Sequence, residues 1–288
     1  KTRHSMRRLP VHVLGFMAHP QAQLADILLR HAETSTDVLR VMLRFLLKEQ
    51  ASDWQMISLD KIPPDSQTLH LLSKVSDFSS LRYDVESAYE GPFIRLRDGW
   101  EHYFRSRSPR FRKTVRNIAN RVTRLGQVEV RCFGTGPEIE RGMEKLFSVS
   151  AASWKVANGI AITSSSARKA FFQSLAQIPG DRGGLQIWIL EANGEPIASE
   201  TQIRDGTKVY ALRSHSDERY ADQSPGSYLQ AEILKDLFNG PCEEYNFGVG
   251  RNSYKLHWTN EEYALLRFRA YNRTLYGNFL RSISRFRI

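Results

Sequence analysis

LQIWIL (185–190), PIASETQI (196–203) and KVYALR (208–213) follow one another with Asn193-Gly194 and Asp205-Gly206 at the two joins. Both dipeptides suit the positive backbone angles of a tight hairpin, so the three segments are read as an antiparallel meander. Next comes DQSPGSYL (222–229), where a Pro-Gly turn opens an amphipathic helix over 226–238. A strand at 243–247, a helical turn around Lys255, a strand at 264–271 and an Arg-bearing helix near 274–285 complete the order. Upstream of the meander, helices are expected at 137–152 and 165–177.

Working outward, 108–126 has the clearest helical pattern. Ser108 suits the N-cap and Pro109 the first helical position. Phe111, Val115, Ile118, Val122 and Leu125 draw one apolar stripe, and Gly126 is a natural stop. The first hundred residues read as a mixed α/β unit. Helices are expected at 24–29, 38–47 and 65–76, with strands at 54–59, 82–87 and 93–96. The basic helix is taken as the join, giving halves 1–126 and 127–288.

The chain has 288 residues, enough for one large domain or two modest ones. No apolar run reaches the roughly 18 residues that span a bilayer. The basic start lacks a signal-like apolar core, and a chain beginning at Lys1 implies further residues upstream. Cys132 and Cys242 are too few for a disulfide framework and read as reduced, packed thiols of a cytoplasmic protein. The net charge of +10 sits in two stripes without acids. One is Arg105, Arg107, Arg110, Arg112, Lys113, Arg116, Arg121 and Arg124; the other is Arg267, Arg269, Arg273, Arg281, Arg285 and Arg287. Without these 14 residues, 27 basic side chains face 31 acidic ones, so the excess is local. Such stripes are either solvated helix faces or seats for a polyanion such as nucleic acid, a nucleotide-linked substrate or an anionic membrane.

The turn before 226–238 is a candidate anion cradle, because the first N–H groups of a helix are unpaired and favour phosphate. Lys255 lies just beyond it in sequence. No Ser-His-Asp order, metal-ligand cluster, Walker loop or G-x-G-x-x-G occurs, which argues against hydrolase, metalloenzyme and nucleotidase readings.

Ser153-Trp154-Lys155 with Gly159, the YALR of 210–213, Asp217-x-x-Tyr220, Ser224-Pro225-Gly226, the YNFG of 245–248 and Tyr254-Lys255-x-x-Trp258 together resemble one branch of the GNAT acyltransferases. This is the cellulose-biosynthesis-type (CelD/BcsL) branch, related in architecture to the Fem-type peptidyltransferases that use aminoacyl-tRNA. The resemblance covers 138–272, and more loosely 54–126 through Trp100-Glu101-x-Tyr103 and the arginine helix. It implies an α/β (α+β) tandem GNAT-like fold, with mixed, mostly antiparallel sheets flanked by helices and a degenerate first half.

The resemblance also implies a donor pyrophosphate held on a Q/R-x-x-G-x-G/A loop. Gln223 and Gly226 match that pattern, Ser227 lies between, and Tyr228 stands where a small residue is usual. The donor is acyl-CoA, such as acetyl-CoA, or aminoacyl-tRNA, with no metal. By position, Lys255 matches a lysine near the transferred carbonyl, where it or backbone N–H groups would hold the oxyanion. Glu200, His215 or an ordered water would take the amine proton, with Asp217 a further candidate base. Trp154, Lys155, Tyr210 and Tyr254 either pack or shape a pocket for a small-molecule or peptide amine. Arg110, Arg112, Lys113 and Arg116 would bind the polyanion, possible tRNA included. The expected function is N-acyl transfer from acyl-CoA to an amine. The alternatives are Fem-like aminoacyl transfer from tRNA, and a GNAT-fold polyanion-binding module without chemistry.

Overall fold

The computed structural model describes residues 2–6, 9–18, 22–28, 32–75, 81–134, 136–178 and 184–285. In chain order they form β1 (Thr2–Met6), β2 (Leu9–Leu14), α1 (Ala32–Arg44), β3 (Met56–Ile62), α2 (Gln67–Lys74), β4 (Arg82–Arg95), α3 (Gly99–Ser106), α4 (Pro109–Thr123) and β5 (Val128–Phe133). There follow α5 (Ile139–Ala151), α6 (Ser166–Ala176), β6 (Leu185–Ala192), β7 (Glu195–Asp205), β8 (Lys208–Ser216), α7 (Pro225–Asn239), β9 (Glu244–Asn246), α8 (Ser253–Trp258), β10 (Glu261–Tyr271) and α9 (Leu275–Arg285). The architecture is mixed α/β with mostly antiparallel pairing, as the sequence led us to expect.

Two compact units result: Lys1–Gly91 with Glu262–Ile288, and Pro92–Glu261. The expected break at residue 126 does not coincide with them. The reason is packing: Trp100, Phe104, Ile118 and Val122 of α3 and α4 bury into the core of the second unit. In the first unit β10 returns to pair antiparallel with β3.

The first unit orders its strands β1-β2-β3-β10-β4. Trp54, Ile57, Ile62, Leu72 and Phe268 meet Leu39 and Leu43 of α1 in its core. The helix expected at 24–29 is absent: residues 22–28 are irregular, and Leu29 lies outside the described residues. Tertiary bonds take that backbone instead. Ala25 N–H donates to the Lys61 carbonyl at 3.1 Å, Lys61 Nζ donates to the Ala22 carbonyl at 2.7 Å, and Ser66 Oγ donates to Asp26 at 2.7 Å. The two strands expected at 82–87 and 93–96 are one strand, β4. Part of the carboxy-terminal arginine stripe is neutralised within this unit. Arg267 pairs with Asp60 and Glu86, and Arg269 reaches Glu86 at 3.0 Å.

The second unit is a sheet ordered β9-β8-β7-β6-β5, with Phe93, Ile94 and Arg95 of β4 paired to β9. One face carries α5 and α6, whose Leu146 and Phe172 join Ile187 and Ile189 of β6 in one core cluster. The other carries α3, α4 and α7 over Trp188, Leu190, Val209 and Tyr245. The meander forms as read, with Asn193 at φ 50° and Gly194 at φ 82° in the first hairpin. Ser108 Oγ accepts from the Phe111 amide at 3.2 Å, so α4 starts where its cap requires. Gly126 takes φ 118°, and a Cβ there would lie 2.3 Å from Asn193 Oδ1, so only glycine fits. The strand β5 was not anticipated, and Cys132 on it is exposed rather than packed, while Cys242 is buried.

Candidate active site

The site grows from a parting of strands. β8 and β9 run parallel and pair only at Lys208–Glu244, Val209–Tyr245 and Tyr210–Asn246. Past Tyr210 the short β9 leaves through Gly248 at φ 77°, whereas β8 continues to Ser216. On its other edge β8 follows β7 throughout, with one extra residue, Leu212, between the pairs Gln202–Ala211 and Thr201–Arg213. The end of β8 therefore has β7 on one side only.

Helix α7 begins just downstream. Ser224 sits in the left-handed region (φ 56°, ψ 52°) and Pro225 opens the helix. The Ser224 carbonyl accepts from the amides of Ser227 at 3.1 Å and Tyr228 at 3.2 Å. Pro225 has no N–H, so Gly226 brings the one amide in this turn without an acceptor; the three-amide cradle expected at 226–228 is reduced accordingly. Arg121 of α4 stands beside it, with Nη2 3.5 Å from Ser224 Oγ. Tyr228 packs half-buried against the core, and Gln223, also half-buried, ends a short 3-10 turn over Glu218–Gln223.

Glu200 lies mid-strand in β7, on the face closed by α7 rather than on a solvent face. Only 5% of the residue is exposed. Its Oε1 accepts from Tyr245 Oη at 2.5 Å and Gln202 Nε2 at 2.7 Å. Tyr245 Oη also lies 3.2 Å from Gln230 Oε1 of α7, and Trp188 Nε1 donates to Gln202 Oε1 at 3.2 Å. Burial pushes the carboxyl above the ordinary glutamate range, only partly opposed by its two donors and by Lys155. Burial and the Glu200 charge push the Tyr245 phenol well up in turn. The half-exposed Tyr254 has its phenol raised by burial and then by Glu200. Tyr245, Gln202 and Gln230 were not singled out from the sequence as site residues. Gln230 did leave a signal: it interrupts an apolar helix stripe that runs through Ile233 and Leu237.

The other candidates do not join Glu200 as one cluster. Asp217 caps the 3-10 turn, accepting from the Arg219 amide at 2.9 Å and ion-pairing with its guanidinium at 2.7 Å. Burial raises this carboxyl, but the Arg219 bonds outweigh it and hold it below the usual range. This acid is thus engaged in capping the turn. Lys255 is buried at the start of α8, where its Nζ donates to the carbonyls of Gly248 (2.9 Å) and Val249 (3.0 Å). Burial depresses it to about 8. Its charge fixes the departing β9 loop, with one N–H left over.

His215 is buried on the opposite face of the sheet from Glu200, across from Ser199. Burial, then Lys155 and Arg213, lower its imidazole to about 3, which favours the neutral ring. Lys155 Nζ donates to the Ser214 carbonyl and stands 5.9 Å over the ring of the exposed Trp154. Tyr210 is half-buried where the β8–β9 pairing ends.

On α4, Arg110, Lys113 and Arg116 are exposed, and Arg112 Nη1 donates to the Arg105 carbonyl at 3.0 Å. Arg116 lies over Phe104 at 5.7 Å. Among the described residues, none of the eight basic residues from Arg105 to Arg124 has a carboxylate within ion-pair distance. Among these residues, too, no group of three His, Cys, Asp or Glu is placed to hold a metal, and no helix is long and apolar enough to cross a membrane.

A profile of the Acetyltransferase (GNAT) domain family matches residues 109–256, just over half of the chain, and the chain belongs to that family. Acyl transfer is the role this membership supports. Comparison with curated protein sequences gives no match. Among solved structures, the chain is similar to the C-terminal domain of a putative lysylphosphatidylglycerol synthetase from Agrobacterium fabrum. The identity is 12% and the TM-score 0.58, over 88% of this chain and 77% of that one. FemX gives 12% and 0.56, over 86% and 80%. L-PGS from Bacillus licheniformis gives 12% and 0.54, over 88% and 79%. At that identity the likeness is one of fold.

Proposed function

We propose that this chain is an N-acyltransferase of the cellulose-biosynthesis-type branch that moves an acyl group from acyl-CoA to an amine. The observation that carries the reading is the parting of β8 from β9 at Tyr210, with the opening of α7 alongside. A strand end bonded on one side only offers backbone groups to an extended pantetheine-like chain. The free Gly226 amide and Arg121 supply one dipole and one charge for its phosphates. A Cβ at Gly226 would meet Ser216 at an ordinary 3.9 Å, so this glycine is not walled in, which supports access for a phosphate group.

Glu200 is the proton acceptor we favour among the four candidates. Its carboxyl is lifted toward neutrality by burial, whereas Asp217 is held ionised by Arg219 and the His215 imidazole is pushed down by burial. Tyr245 and Gln202 orient it, and it takes the amine proton through a water, since its own exposure is slight. Backbone amides at the end of β8 and the spare N–H of Lys255 are the donors available to the oxyanion. Mass spectrometry of the purified protein with acetyl-CoA and an amine panel tests this. We expect an acylated product whose kcat falls about 10²-fold or more in Glu200→Gln, the size of a lost general base. A Glu200→Gln variant with native kcat removes the assignment of the base; no product with any donor removes the function.

The eight unpaired cations from Arg105 to Arg124 favour a second reading, transfer from aminoacyl-tRNA to an amine. Binding of charged tRNA that weakens steeply with salt, with transfer of the aminoacyl group, decides for it. Polyanion binding without turnover decides for a module that has lost its chemistry.

A further inference from the structure

On the face of β7 and β8 that carries α5 and α6, four buried polar atoms lack any partner: Ser199 Oγ, Arg213 Nε and both ring nitrogens of His215. They are neighbours. Ser199 pairs across from His215, and Arg213 lies two residues before it on the same face. Leaving such groups dry and unpaired is costly, so a cluster of them points to something that belongs there.

The charges say what kind of thing. Lys155 and Arg213 are both half-buried and both near His215; burial and then Arg213 depress Lys155, and burial and then Arg168 depress Arg213. Among the described residues none of these three cations has a carboxylate within ion-pair distance. Glu200, the nearest acid acting on Lys155, lies on the other face and is engaged by Tyr245 and Gln202. The cations are instead tied to the loop after α5: Arg213 to the Ile160 carbonyl, and Arg168 to those of Ala161 and Gly159. That loop carries Trp154, Val156 and Ile160, each more than 40% exposed, so it borders solvent.

We propose that Lys155, Arg213, His215 and Ser199 form a pocket for an anionic oxygen group, a carboxylate or a phosphate, carried by the amine acceptor. A neutral His215 donates one N–H to such a group, Ser199 its hydroxyl and Arg213 its unused Nε–H, while the two cations balance the charge. The assignment to the acceptor rests on the acyltransferase reading; the anion site itself does not.

Two experiments separate these. In ¹⁵N-histidine-labelled protein, the His215 ring signals are followed during titration with sodium acetate and with inorganic phosphate. Saturable shifts with either ion, lost in both Lys155→Met and Arg213→Gln and partly restored in Arg213→Lys, support the pocket and say which oxyanion it prefers. Linear drift with no saturation, or saturation unaltered in those variants, overturns it. In the second experiment, amines differing only in a carboxylate or its carboxamide are compared as acceptors. We expect the carboxylate form to have a KM lower by about tenfold, the effect of one desolvated charge contact, and Arg213→Gln to abolish that advantage. Equal KM values overturn the assignment to the acceptor. Should no amine be acylated, the titration alone still decides the pocket.

Discussion

Replacing Tyr245 by Phe tests the buried network directly. The change removes one oxygen from a fully buried ring, so no cavity of consequence forms, and the loss is that of the hydrogen bonds. Tyr245 Oη gives its single proton to Glu200 at 2.5 Å. Its contact with Gln230 at 3.2 Å is then satisfied by turning that amide, which also employs Gln230 Nε2, otherwise without a partner. Leaving a buried acceptor unpaired costs about 1–3 kcal/mol, which is roughly 2–12 °C in Tm for a unit of this size. The deficit also depends on pH. The folded Glu200 holds its proton more tightly than an unfolded glutamate, so its contribution is complete below the ordinary carboxylate pKa and is lost as pH rises through the folded value. The Tyr245 bond favours the ionised form; removing it raises the folded pKa further and deepens that loss. Urea unfolding of wild type and Tyr245→Phe across pH 4–9, repeated in a Glu200→Gln background, reads both effects. We expect a deficit that grows with pH and becomes flat in the Glu200→Gln background. A deficit below about 0.5 kcal/mol, or one equally pH-dependent without Glu200, refutes the network.

Asp217→Ala should cost about 1–2 kcal/mol as a lost cap, and the acid limb of the stability curve should flatten. The depressed carboxyl stabilises above the ordinary aspartate pKa and loses that contribution as pH falls. Its pH–rate profile for acyl transfer should match wild type, and a displaced alkaline or acid limb would restore Asp217 as a base. Lys255→Met strips two carbonyls of their donor, at a cost of roughly 2–4 kcal/mol by thermal melt at pH 7. Wild type should gain stability as pH rises from about 8 to 10.5, where the unfolded lysine binds the proton more tightly, and the difference curve should show that gain missing in the variant. If α4 binds duplex phosphates through Arg110, Arg112, Lys113 and Arg116, the log–log salt slope of RNA binding should be about −3.6; exchanging two of these for Gln should reduce it by about 1.8. An unchanged slope would place the contact elsewhere.

Local chemistry made part of this legible. Asn193-Gly194 and Ser108-Pro109 each dictate a backbone conformation by themselves, and the hairpin and α4 formed where they were read. The coil at 22–28 shows the limit: an apolar periodicity without caps yielded to bonds from Lys61 and Ser66, which are distant in sequence. The site was harder still. Glu200 was visible as a polar residue in a strand and His215 as one just beyond a strand, yet the face each occupies depends on strand length and register, and no composition rule reports that. Asp217 resembled a base because nothing in the sequence says that Arg219, two residues on, will clasp it.

Leu212 decides that register. Were it instead to take a regular place opposite Thr201, the end of β8 would slip by one residue against the first half of β7, and Arg213 would land opposite Glu200 in place of Ser214. Acid and guanidinium would then quench one another inside the sheet, and His215 would turn to the α7 side. A single supernumerary residue thus works as a phase shifter, keeping a proton acceptor and a cationic recess back to back on one pair of strands.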